Sequence, residues 1–107
     1  MLSQKALEDI GGAIEGLEYP SESDQPFEIV QNVSFLGEPH EVSAQSFFAD
    51  LQDSEDWPRF AKLRETLEAH LSALSVFRRN KIRVDVYVVG RDGQGQWSGV
   101  KTVSVET

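Results

Sequence analysis

The clearest alternation of apolar and polar residues lies near the C-terminal end of the chain. One side of this run carries Ile82, Val84, Val86 and Val88. Tyr87 and Val89 fall on the opposite side. A period of two, built from branched and aromatic residues, is typical of a β-strand. Because both sides of the strand are apolar, we expect both to be covered.

A turn and a second strand follow this run. Arg91–Gly95 contains Asp92-Gly93, a pair that favours a hairpin turn because glycine accepts the positive φ such turns need. The return strand puts Trp97, Val103 and Val105 on one face and Val100, Thr102 and Ser104 on the other. The pattern predicts an antiparallel hairpin at the C-terminal end.

Three earlier segments show helical spacing. The first begins at Ser3 and repeats at Ala6, Leu7, Ile10, Ile14 and Leu17, with Gly16 as a terminator. The second covers 43–51 and buries Phe47, Phe48 and Leu51. The third begins at Trp57-Pro58 and runs through Phe60, Leu63, Leu67, Leu71, Leu74 and Phe77 to the cations Arg78, Arg79 and Lys81.

One further strand is predicted at Phe27–Val33, with Phe27, Ile29 and Val33 inward, followed by a connection from Asn32 to His40. The order of elements is then helix, strand, helix, helix and hairpin. This order predicts one α+β domain over residues 1–107.

Composition narrows the class of partner. The chain has 107 residues, no cysteine and a formal net charge of −8. Nucleic-acid binders usually carry the opposite charge, so we expect no direct nucleic-acid contact. An acidic surface attracts basic proteins, although acidity also serves solubility alone. The missing cysteines fit a cytoplasmic protein, and neither a leader nor a membrane span is predicted.

No catalytic, metal-binding or cofactor motif stands out in the chain. His40 and His70 have no ligand neighbours at zinc spacing, and we expect His70 to be partly buried and hydrogen-bonded. The glycines after residue 89 precede no helix, which favours a hairpin turn over a phosphate loop. Of the tryptophans, Trp57 follows an acidic stretch and is the better interface candidate, although a core position is the more common one.

A polar loop between two prolines is the remaining candidate site. Pro20 and Pro26 enclose Ser21-Glu22-Ser23-Asp24-Gln25. Proline narrows the unfolded ensemble, and serine hydroxyls bond nearby backbone groups, so the loop is predicted to be held in one shape. Such a loop presents the Glu22 carboxylate, although a solvated acidic loop is the commoner case.

Several of these segments together resemble the nuclease A inhibitor family, known from cyanobacteria. The matching segments are Gly16-Leu17, Ser21–Glu28, Ser46-Phe47-Phe48, Asp56-Trp57, the long helix, Val84–Gly90 and the terminal Val105-Glu106-Thr107. The resemblance implies a three-layer α/β/α sandwich with a mixed sheet ending in the hairpin. It also implies a bacterial inhibitor of a non-specific, metal-dependent DNA/RNA nuclease that is not itself an enzyme.

The resemblance further implies a partner-binding site made of the loop Ser21, Glu22, Ser23 and Asp24, the stretch Glu55-Asp56-Trp57, and Thr107. Glu22 then engages the partner's magnesium ion in place of a substrate phosphate, and the protein holds no metal or cofactor of its own. Mg²⁺ prefers carboxylate oxygen, which agrees with this role. Thr107 adds its hydroxyl and, if it ends the chain, an ionised carboxylate.

Two other functions stay open. One is an acidic protein-interaction module of the same fold that binds a different basic protein. The other is an enzyme that uses the acidic loop with a divalent metal. The first predicts binding without nuclease inhibition, and the second predicts turnover by the isolated protein.

Overall fold

The computed structural model describes residues 2–21, 23–34 and 40–105. Within these ranges the helices are α1 (Gln4–Ile14), α2 (Ala44–Ala49) and α3 (Trp57–His70). The strands are β1 (Glu18–Tyr19), β2 (Gln25–Pro26), β3 (Glu28–Val33), β4 (His40–Ser43), β5 (Ser72–Arg79), β6 (Arg83–Arg91) and β7 (Trp97–Val105). The α+β class predicted from the sequence is confirmed.

Five strands form one sheet in the order β3-β7-β6-β5-β4, and β1 pairs separately with β2. All pairings among the described strands are antiparallel, whereas a mixed sheet was expected. The short turn from β5 to β6 accounts for part of this, because short turns join antiparallel neighbours. The predicted C-terminal hairpin is confirmed as β6 and β7, which lie inside the sheet with β3 and β4 at its edges.

The turn of that hairpin is closed by Asp92. Its Oδ1 accepts hydrogen bonds from the backbone N–H of Gln94 at 2.9 Å and of Gln96 at 3.1 Å. Its Oδ2 accepts one from the hydroxyl of buried Ser98 at 3.0 Å. One aspartate thus satisfies backbone groups in the turn and fixes the start of β7.

The described helices all pack on one face of the sheet. The core on this face includes Ile10, Phe48, Phe60, Leu63, Leu67, Val84, Val86, Val88 and Val100. On the opposite face, buried Val89 is accompanied by the rings of Phe77 and Trp97, which meet edge to face with centroids 5.2 Å apart. Side chains of the sheet itself therefore cover its second apolar side, and the expected third layer is not found among the described residues.

Helix α1 begins after Ser3 and ends before Gly16, as the sequence predicts. The Ser3 hydroxyl accepts a hydrogen bond from the Ala6 N–H at 3.1 Å, which satisfies a donor that the first helical turn leaves open. Gly16, just past the C-cap, has φ +71°, a conformation that glycine adopts without steric strain. The short helix over Phe47 and Phe48 is likewise confirmed as α2, and both side chains are buried.

The predicted long helix is wrong beyond His70. Helix α3 ends there, and Ser72–Arg79 forms strand β5. The register shifts between Ser72 and Ser75, where Ala73 has φ 53°. A bulge adds one residue to a strand, so Leu71 and Leu74 both reach the core although an odd spacing of three positions puts residues of a regular strand on opposite faces. The bulge thereby imitates helical spacing.

Candidate functional site

The polar loop between the prolines forms the tip of the β1–β2 hairpin. Tyr19 pairs with Gln25, so the chain reverses direction between these two residues. Within it the Ser21 hydroxyl donates to the Ser23 carbonyl at 2.7 Å, and the Gln25 side-chain amide donates to the Ser23 hydroxyl at 2.9 Å. These bonds hold the described parts of the loop in one shape, as the serine pattern predicts.

Strand β7 holds this hairpin from the side. The Val105 N–H donates to the Ser21 hydroxyl at 3.1 Å across a separation of 84 residues. Lower down, the buried Thr102 hydroxyl lies 2.9 Å from the Pro26 carbonyl and 3.3 Å from the Gln25 carbonyl, and donates to them. The hairpin tip and the end of β7 are therefore fixed to each other at two levels.

Aromatic packing supports the base of the hairpin. The Tyr19 ring stacks on Phe47 with centroids 5.6 Å apart and 9° between the planes. Buried Phe27, next to β2, meets Tyr19 edge to face at 6.4 Å and Phe60 of α3 at 6.2 Å. These contacts bind the hairpin to the helical layer, so its position follows from the core.

The predicted site residues fall into three groups. Ser21 is half-buried, and Ser23 and Asp24 are exposed on the hairpin tip. Glu22 and Thr107 lie outside the described residues, although the neighbouring residues on one side of each, Ser21 and Val105, belong to the fixed structure above.

Glu55, Asp56 and Trp57 belong to the start of α3. The two acids are exposed, and Trp57 is half-buried against the core. Two residues further on, the Arg59 guanidinium donates to the carbonyls of Glu15 at 2.6 Å and Ala13 at 3.2 Å. The contacts of Arg59 thus join the start of α3 to the end of α1. The hairpin tip is joined instead to β7, so the described contacts do not link these two parts of the predicted site to each other.

A second surface feature escaped the sequence prediction. Ile82, placed with the inward valines, is 70% exposed in the turn between β5 and β6. Its φ is 68°, which is unusual for a branched side chain. The only sequence signal is the preceding Asn80, a residue that tolerates positive φ and has φ 72° here.

His70 joins α3 to α1, in agreement with the predicted partly buried, hydrogen-bonded histidine. Its side chain is 19% exposed, and Nε2 lies 2.9 Å from Asp9 Oδ2. This hydrogen bond lowers the pKa of Asp9 from its ordinary value, and the nearby charge of Lys5 acts in the same direction. A pocket of about 250 Å³ adjoins the pair.

The described part of the chain lacks both a cluster of metal ligands and a membrane-crossing helix. There, no three or more His, Cys, Asp or Glu side chains are grouped closely enough to hold a metal ion. Over the same residues, no helix combines the length and the apolar character needed to cross a membrane.

Comparison with known proteins places the chain in a family. No curated protein matches it. The family model for nuclease A inhibitor-like proteins matches residues 38–107, which is more than half of the chain and contains every element from β4 to β7. The hairpin tip at 20–24 precedes the matched segment. The family predicted from the sequence is confirmed, and the chain belongs to the nuclease A inhibitor-like proteins.

Proposed function

We propose that this protein inhibits a non-specific, metal-dependent DNA/RNA nuclease by inserting the tip of the β1–β2 hairpin into the nuclease active site. Membership of the nuclease A inhibitor-like family supports an inhibitor with a nuclease as protein partner. The chemistry of the hairpin tip is our reason for assigning a metal-dependent target and for placing Glu22 where a substrate phosphate would bind.

The hydrogen bond between Ser21 and Val105 is the observation that carries the proposal. Glu22 follows Ser21 in the chain, and Glu106 and Thr107 follow Val105. One bond thus joins the residue before Glu22 to the strand that leads to Thr107. A group mounted on a rigid element loses little freedom on binding, which leaves more of the interaction energy for affinity.

The chemistry of Glu22 suits this role. Mg²⁺ takes oxygen ligands and usually keeps several waters, so one carboxylate oxygen can replace a phosphate oxygen of the substrate. We assign Thr107 a supporting polar contact beside it. Ser23 and Asp24, both exposed, supply the remaining polar contacts of the tip.

Charge favours the encounter with a basic groove. The formal net charge is −8, and exposed acids such as Glu18 and Asp24 lie on the hairpin itself. Complementary charge raises the association rate, and added salt weakens this effect. We assign Glu55, Asp56 and Trp57 to a second part of the contact, in which half-buried Trp57 packs on the partner.

The test compares two carboxylates of one hairpin. Glu22→Gln removes the charge assigned to the metal, and Glu18→Gln removes an exposed charge from β1. Loss of a desolvated charge contact of 2–5 kcal/mol weakens inhibition of a magnesium-loaded nuclease by about 30-fold or more, whereas a rim charge changes it by about twofold. Equal effects of both variants on the inhibition constant would overturn the metal-directed role.

A second candidate is an acidic interaction module without a nuclease target. The observation that favours it is that the family match starts at residue 38, after the hairpin tip. This module binds basic proteins through its charge and leaves the activity of every tested metal-dependent nuclease unchanged. A nuclease panel assayed with and without the protein therefore separates the two functions.

A further inference from the structure

The turn between β5 and β6 combines an exposed apolar side chain with a cluster of cations. We call residues 78–83 the basic turn. They are Arg78, Arg79, Asn80, Lys81, Ile82 and Arg83, and they include four of the ten lysines and arginines of a chain with net charge −8. Lys81, Ile82 and Arg83 are exposed, and Ile82 is the large hydrophobic side chain that the described part of the chain leaves in solvent, at 70%.

The backbone holds Ile82 in this exposed place. The Arg83 N–H donates to the Lys81 carbonyl at 2.7 Å, and Ile82 between them has φ 68°. This is a γ-turn of the positive-φ kind, which is rare and strained. Glycine or asparagine fits such a backbone better than a branched residue, and a polar side chain fits the exposure better. Folding alone therefore gives no reason for isoleucine at this position.

The basic turn lies beside the hairpin tip. Arg83 is paired with Val105 in the β6–β7 register, and Val105 donates to Ser21. Neighbouring strands are separated by about 4.8 Å, so the start of β6 lies one strand away from the strand end that holds Ser21. A partner large enough to enclose the tip meets the basic turn as well.

We propose that the basic turn is a second binding element for the same partner, with Ile82 entering an apolar notch whose rim carries carboxylates that pair with Lys81 and Arg83. This inference rests on the proposed function and adds a chemical description of the nuclease surface: a basic, metal-containing groove bordered by an acidic patch. An acidic tip next to a basic turn also sets orientation, because a rotated complex brings like charges together.

The test separates the side chain of Ile82 from the backbone that carries it. Ile82→Asn keeps a residue that accepts positive φ and removes the apolar group, and Ile82→Gly removes both the side chain and the strain. We expect the Tm of both variants to equal or exceed that of the parent protein. We also expect each to bind a magnesium-loaded nuclease about 10- to 100-fold more weakly, as loss of a central apolar contact does.

A charge variant and a control complete the series. Lys81→Ala with Arg83→Ala is expected to weaken binding of the same nuclease about 10-fold, whereas Lys5→Ala, at an exposed lysine of α1, changes it less than twofold. If Ile82→Asn binds within twofold of the parent protein while Glu22→Gln loses affinity, the basic turn is not a binding element and the proposed function stands. If the parent protein binds no nuclease of the panel, both proposals fail.

A cationic turn could also bind nucleic acid, and a labelled duplex oligonucleotide added to the parent protein tests this alternative. The proposal expects no binding at physiological salt, because the net charge repels nucleic acid. Binding that is lost in the Lys81→Ala, Arg83→Ala variant would overturn the assignment to a protein partner.

Discussion

The hydroxyl of Ser21 both donates to the Ser23 carbonyl within its own loop and accepts the N–H of Val105, which lies 84 residues further along the sequence. One side chain therefore shapes the hairpin tip and fixes its position. Ser21→Ala removes both bonds. Because the site is half-buried and each bond contributes about 1 kcal/mol, we expect the free energy of unfolding to fall by about 1–2 kcal/mol in urea titration.

The same variant tests the role of a rigid tip. We expect Ser21→Ala to weaken nuclease inhibition by about 10-fold at a temperature where the protein stays folded, because the ordering of the loop is then completed only on binding. Ser21→Thr keeps the hydroxyl and serves as the control. Unchanged inhibition by Ser21→Ala would show that the tip needs no such support.

Thr102→Val tests the lower attachment of the hairpin. The Thr102 side chain is 2% exposed and donates to the Pro26 carbonyl at 2.9 Å. Valine has nearly the same shape but no donor, so the half-buried Gln25 and exposed Pro26 lose a hydrogen bond to their carbonyls, and stability falls by about 1–2 kcal/mol. Chemical denaturation measures the change. Thr102→Ser retains the donor and isolates the methyl group, and a variant as stable as the parent protein would contradict the assigned role.

Asp92→Ala is expected to weaken the whole C-terminal hairpin. Asp92 is 8% exposed and accepts hydrogen bonds from two backbone N–H groups and from Ser98. Removal of a charged acceptor leaves these donors without it, so we expect a loss of about 2–4 kcal/mol. Thermal unfolding measures the loss. Asp92→Asn keeps one carbonyl acceptor, so we expect its stability to lie between that of the parent protein and that of Asp92→Ala.

Asp9 gives the stability a pH dependence in acid. The hydrogen bond from His70, assisted by Lys5, lowers the pKa of Asp9 in the folded protein. The resulting stabilisation is fully present above the unfolded pKa of about 3.9 and is lost as the pH falls through the lower folded value. Urea titrations of the parent protein and of Asp9→Asn between pH 2 and pH 6 are therefore expected to differ most at the upper end and to converge at the lower end.

The fold could be predicted where local chemistry acts alone. The Ser3 cap, the hairpin turn after Arg91 and the alternate valines each carry their own signal, and each is confirmed. The positive φ expected at Gly93 of the Asp-Gly pair lies instead at Gly95. Strand β5 could not be predicted, because a bulge at Ala73 restores a three-residue spacing that matches a helix. Strand β4 lies at a sheet edge and contains His40 and Glu41. Because most of its side chains are exposed, apolar and polar residues do not alternate along it, and the sequence gives no strand signal.

In the candidate site, too, the features with a local sequence signal could be predicted and the long-range contacts could not. The loop of Ser21, Ser23 and Asp24 was predicted from its residues and its prolines. Its attachment to Val105 depends on a pairing across 84 residues, and no local pattern encodes such a contact. The exposure of Ile82 was missed for a related reason: the alternation of β6 extends to it, whereas the backbone leaves that alternation at a positive φ.

The strand order also determines when the sheet can be completed during translation. In the five-stranded sheet, with the order β3-β7-β6-β5-β4, the two strands synthesised first, β3 and β4, lie at the edges, and β7 lies between β3 and β6. Among the described strands β3 pairs with β7, so β3 gains this partner only after β7 has been synthesised. The sheet is therefore expected to stay incomplete in the nascent chain until β7 is available, and its closure is expected to be slow because pairings of high sequence separation form slowly.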